Sequence, residues 1–105
     1  MRFVETPIFT KAVRAALSDD DYRTVQTALM FRPEQGALIR GSGGLRKIRW
    51  SGKGHGKRGG YRLIYYWDKK TDAFYMLYIY PKNMQEDLTP KQSRLLAQLV
   101  RKEFK

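Results

Sequence analysis

Seven lysine and arginine side chains, and no carboxylate, fall in the stretch GSGGLRKIRWSGKGHGKRGGYRLIYYW between Gly41 and Trp67. Guanidinium and ammonium groups at this density hold anions, and the two-residue period of a strand sorts them by face. In GLRKIRW, Lys47 and Arg49 share one face while Arg46, Ile48 and Trp50 share the other. Two like charges on one face repel, so Lys47 and Arg49 either splay into solvent or grip a bound phosphate, and the strand alone does not choose. Arg62 opens the apolar, aromatic run YRLIYYW. A guanidinium there needs a partner, and its planar fork suits a phosphate; the structural alternative is an ion pair with Glu86 or Asp87. Tyr80 and Lys82 end the run LYIYPKN, where a ring can stack on a base and an ammonium can neutralise a phosphate. Phe74, Tyr75 and Tyr78 read as core or sheet-face aromatics.

Between the two cationic runs lies SGKGHGKRGG. Its glycines free the backbone for close approach, and Lys53, Lys57 and Arg58 supply charge, the composition of a loop that wraps an RNA backbone. Gly54, Gly56 and Gly59 match G-x-G-x-x-G, but a strand rather than a helix follows, so the spacing is not a dinucleotide fingerprint. His55 is the only histidine; it reads as a bystander of the loop, since no second histidine is present to complete an acid–base pair. The chain has no cysteine, and the adjacent acids near the cationic runs, Glu86 and Asp87, are too few for a hard-cation site. No metal and no cofactor is expected.

A net charge of +11 on 105 residues makes a field that attracts polyanions, and nucleic acid is the commonest of these. The concentration of charge argues the same way: eight cations and no acid lie from Gln35 to Trp67. With 42% hydrophobic residues, the length suits one domain over residues 1–105 with a single modest core. The N-terminal MRFVETPIF lacks a long apolar leader, and no window approaches the roughly 18 apolar residues of a membrane span, so a soluble cytoplasmic protein is expected.

The elements that must position these residues follow from periodicity. RFVE reads as a short strand, and FTKAVRAAL as a helix burying Phe9, Val13 and Leu17. Ser18 with Asp21 caps a second helix, which carries Tyr22, Val25 and Leu29 on one stripe and stops before Pro33, giving a helical hairpin. GALIRG, GLRKIRWS, GYRLIYYWD and AFYMLYIY alternate as strands of a curved, largely antiparallel sheet of three or four strands. The link WDKKTDAF is short enough for a hairpin turn. Thr89, Pro90 and Gln92 cap a C-terminal helix with Leu95, Leu96, Leu99 and Val100 as its buried stripe. The expected class is α+β, in the order β-α-α-β-β-β-α, with helices on one side of the sheet.

The pairing of G-G-x-R-x-I-Y-Y with Y-x-K-N-x-x-x-D-L resembles the HigB branch of the RelE/ParE superfamily of bacterial type II toxins, over nearly the whole chain. The resemblance implies a RelE-like fold and a ribosome-dependent mRNA interferase that enters the 30S A site and cuts the codon there. It implies a metal-free attack of the ribose 2′-OH on phosphorus. By position in the motifs, Arg62 corresponds to the arginine on the scissile phosphate, Tyr80 and Lys82 to the pair closing the site, and Lys57 with Arg49 to the rest of the cationic ring. Arg46, Lys47, Lys53 and Arg58 are then RNA-binding. A cognate antitoxin is implied, acidic to match the charge, with any operator DNA contacted only through the antitoxin complex. A ParE-like gyrase inhibitor shares the fold, and a non-catalytic RNA- or ribosome-binding module would need only the basic surface.

Overall fold

The computed structural model describes residues 1–51, 60–85 and 87–104. After strand β1 (Arg2–Glu5), Thr6 adopts an extended backbone, its hydroxyl oxygen accepts from the Phe9 N–H at 3.0 Å, and Pro7 takes the first helical position. Helix α1 therefore spans Pro7–Ala16, starting two residues ahead of the apolar spacing. Ser18 caps α2 (Asp19–Phe31) by accepting from the Asp21 N–H at 3.0 Å, and three aspartates in the first turn meet the positive end of the helix dipole. The helix ends ahead of Pro33, as the proline requires.

Strands β2 (Ala37–Leu38), β3 (Leu45–Trp50), β4 (Tyr61–Asp68) and β5 (Ala73–Pro81) follow, then α3 (Pro90–Phe104). They form a five-stranded sheet in the order β1-β5-β4-β3-β2, antiparallel except where β1 runs parallel to β5. The sequence reading stopped at three or four strands. The stretch GALIRG pairs only through Ala37 and Leu38, because Gly41, Gly43 and Gly44 take positive φ and bend the chain into β3. The Ser42 hydroxyl holds that turn, donating to the Ile39 carbonyl at 2.5 Å and accepting from the Leu45 N–H at 3.0 Å.

The sheet is covered on both faces, which corrects the one-sided arrangement read from the sequence. On one face α1 and α2 bury Phe9, Val13, Val25 and Leu29 against Leu63, Tyr65, Phe74 and Met76. On the other, Leu96, Leu99 and Val100 of α3 pack against Leu45, Ile64, Tyr75, Leu77 and Tyr80. Full burial of such a side chain contributes about 1.5–3 kcal/mol, so both layers matter to the fold. Alternation explains the split, since odd and even positions of β3, β4 and β5 are apolar on both sides. In α3 the buried face centres on Leu96, Ala97 and Val100, leaving Leu95, expected inside, 55% exposed. The cap of α3 is as read: Thr89 Oγ1 accepts from the Gln92 N–H at 3.1 Å, and Gln92 Oε1 accepts from the Thr89 N–H at 3.0 Å. Among the described residues no helix is long and apolar enough to cross a membrane.

Candidate active site

Strand register does what sequence could not and assembles the cations. Arg49 of β3 stands opposite Arg62 of β4, and Arg62 opposite Tyr80 of β5. All three point to the α3 face, forming a row across the sheet. The neighbouring row is Lys47, Ile64 and Tyr78. Like charges in facing cross-strand positions destabilise a sheet, so the Arg49–Arg62 pair has an electrostatic cost that a bound anion would offset.

The members of the row differ in exposure. Arg49 is open to solvent, Arg62 is 6% exposed and Tyr80 1%. Tyr80 sits in the α3-side core with its ring 5.4 Å from that of Tyr78, so its face is not presented to a stacking base in this structure. Lys82 is exposed in the turn after β5, and its N–H donates to the Gly60 carbonyl at 3.0 Å, which fixes the turn to the start of β4. Of the residues proposed from sequence, the fold thus gathers Arg49, Arg62, Tyr80 and Lys82 at one end of three strands.

Two others are engaged in ways the sequence did not indicate. Arg46 lies on the opposite face, where its Nη1 donates to the carbonyls of Glu34 at 2.9 Å and Gly36 at 2.8 Å and its guanidinium pairs with Glu34 at 3.8 Å. It ties the α2–β2 connection to β3. Lys47 shares a face with Arg49 as expected, here the α3 face, but donates to Asp87 Oδ1 in an ion pair. That hydrogen bond and the Lys47 charge hold the Asp87 carboxyl below the usual carboxylate range, against desolvation, which works the other way, and with a smaller contribution from the charge of Arg62. Asp87, weighed from sequence as a partner for Arg62, is therefore a hydrogen-bonded partner of Lys47 that also feels Arg62. No local sequence signal marks a contact between residues 40 positions apart. Lys53, His55, Lys57, Arg58 and Glu86 lie outside the described residues.

The fold is α+β, with a helical hairpin on one sheet face, a single helix on the other and a cationic row at the strand ends. An arginine-to-alanine double mutant of the Escherichia coli toxin RelE in the free state matches with a TM-score of 0.57 at 17% identity, over 80% of this chain and 85% of that one. The family model for the RelE toxin of the RelE/RelB toxin–antitoxin system matches residues 1–105, and the chain belongs to that family. Membership implies an antitoxin as partner.

Proposed function

We propose that this chain is a ribosome-dependent mRNA endoribonuclease of the HigB branch, a single toxin domain that inhibits translation by cutting mRNA in the ribosomal A site. The observation that carries the reading is the Arg49–Arg62–Tyr80 row, two guanidiniums in facing register with Lys82 beside them. In the reaction the ribose 2′ oxygen bonds to phosphorus as its proton passes to solvent water, and the bond from phosphorus to O5′ breaks. The products are a 2′,3′-cyclic phosphate, or its hydrolysis product, and a 5′-OH fragment. Negative charge grows on the non-bridging oxygens, and preorganised cations at that point lower the barrier electrostatically.

In this scheme Arg62 holds the scissile phosphate, Arg49 and Lys57 complete the ring of charge, and Lys82 supplies the proton to O5′. Tyr80, buried beside Arg62, positions the guanidinium. The ribosome orients the substrate, which a chain this small does with few residues. The antitoxin is expected to be acidic, to complement a net charge of +11.

The test is primer extension on mRNA after brief induction of the wild-type chain, Arg62→Ala and Arg62→Lys, with thermal melts to establish that the variants fold. Codon-phased cuts should fall by about 100-fold or more in Arg62→Ala, the typical loss for one preorganised donor. Intact mRNA with arrested growth in the wild type would sink the reading in favour of gyrase inhibition or ribosome occlusion. Cleavage that survives in a folded Arg62→Ala chain would move the catalytic assignment off Arg62.

A further inference from the structure

Lys47 and Asp87 form one wall of a groove that continues from the cationic row toward the edge of the sheet. The groove has a volume of about 520 Å³ and lies between edge strand β2, the Ile39–Gly41 turn and the first turns of α3. That is within the range of about 300–1,000 Å³ typical of small-ligand sites. Ile39 and Leu88 give it an apolar lining at the edge of the α3-side core. Arg40 and Arg94 stand in the other walls, both exposed. Asp87, the one acid among the described lining residues, is already engaged by Lys47, so the charge these residues offer to a ligand is that of the two arginines.

An apolar surface flanked by cations is the pattern that binds an unstacked nucleotide, base against the apolar side chains and phosphates on the charges. Continuity decides which polyanion. The groove shares Lys47 with the face that holds Arg49 and Arg62, so a strand lying on that row runs on into it. We infer that this groove is a second RNA subsite, holding a nucleotide that flanks the cut, with Arg40 and Arg94 on its phosphates and Ile39 and Leu88 against its base. The inference rests on the reading of the chain as an RNA-cutting toxin. It adds two arginines that neither family motif contains.

Fluorescence anisotropy on the purified full chain tests it, using single-stranded RNA with 2′-O-methyl riboses, which cannot be cut, as a dinucleotide and as a longer strand. Arg40→Gln/Arg94→Gln should weaken the longer strand about tenfold and lower the slope of log affinity against log salt by about 1.4, the value for two lost phosphate contacts. The dinucleotide should be unaffected. Lys11→Gln/Arg14→Gln, which removes the same charge from exposed positions on α1, should leave both unchanged. Leu88→Ser should weaken the longer strand without changing the salt slope. The groove assignment falls if the Arg40/Arg94 variant binds the longer strand like wild type, or no worse than the α1 variant. It also falls if the variant loses only an acidic polypeptide probe such as poly-glutamate, which would make the groove a protein-docking surface. A wild-type chain that binds neither RNA removes the parent reading and the subsite together.

Discussion

On the hairpin face of the sheet, several polar groups are answered from within the chain. Glu5 accepts from Thr10 and Tyr22 at 2.6 Å each, joining β1, α1 and α2, and the Tyr65 hydroxyl donates to the Pro33 carbonyl at 2.8 Å while accepting from the Gly36 N–H at 3.0 Å. On the α3 face, Arg49 and Arg62 stand in facing register, and Lys47 is answered by an aspartate whose side chain is 65% exposed. Both faces bury a core that stabilises the fold, but the α3 face also carries the positive charge of the row. The same sheet separates the two tasks, because successive residues of a strand point to opposite sides. Arg46 and Lys47 are neighbours in sequence, yet one secures a turn and the other borders the site.

Substitutions on the hairpin face should then cost stability and spare the chemistry. The largest such effect is expected at Gly36, where an added Cβ would lie 2.8 Å from the Tyr65 ring, 2.9 Å from its hydroxyl and 3.0 Å from Ile48. Gly36→Ala should lower stability by about 1–3 kcal/mol, the usual cost of overpacking, as read by the urea midpoint. Chain that remains folded should still cut; loss of cutting without loss of stability would break the division between the faces.

A smaller effect separates the faces by pH. Burial, then the hydrogen bond to Glu5 and its charge, raise the Tyr22 phenol above its usual range, and burial raises Tyr65 as well. A group whose pKa is raised on folding contributes stability below its unfolded value, about 10, and that contribution is lost as pH rises beyond it. The urea midpoint should therefore fall above pH about 10, and Tyr22→Phe should flatten that limb while costing roughly 1 kcal/mol at neutral pH for the lost hydrogen bond. An unchanged alkaline limb in Tyr22→Phe would assign it to other groups.

The smallest effect belongs to the α3 face at the acid end. Asp87, held low by Lys47 and Arg62, contributes stability above the unfolded carboxylate value of about 3.9, lost as pH falls through its folded value. Exposure screens the pair, so Asp87→Asn should change the neutral-pH urea midpoint little and only shallow the acid limb. A large loss at neutral pH would make Asp87 a structural anchor and weaken the contrast.

Much of this molecule was legible in advance where the signal is local. The Ser18 and Thr89 caps lie within three residues of their partners, and the apolar positions of α1, α2 and the long strands repeat at the period of their element. The Thr6 cap was equally local but fell outside the apolar run that drew attention to Phe9. Leu95 was misplaced because adjacent leucines blur the direction of a helix face, which the fit of Leu96, Ala97 and Val100 against the sheet resolves. Arg49, Arg62, Tyr80 and Lys82 were named from residue type, position and family motif. Nothing in those signals showed that Arg62 and Tyr80 are buried, or that Arg46 belongs to a turn.

The sequence by itself determined the element types, most of their limits, the family and the sign and concentration of charge, since each depends on residues near one another in the chain or on a simple sum. Only the tertiary structure decided which cations meet. The register between β3, β4 and β5 sets Arg49 opposite Arg62 and Arg62 opposite Tyr80, and the return of the chain into α3 brings Asp87 to Lys47 across 40 positions. A one-residue slip in that pairing would send every side chain of a strand to the other face, so the site exists by virtue of packing on both sides of the sheet that fixes the register.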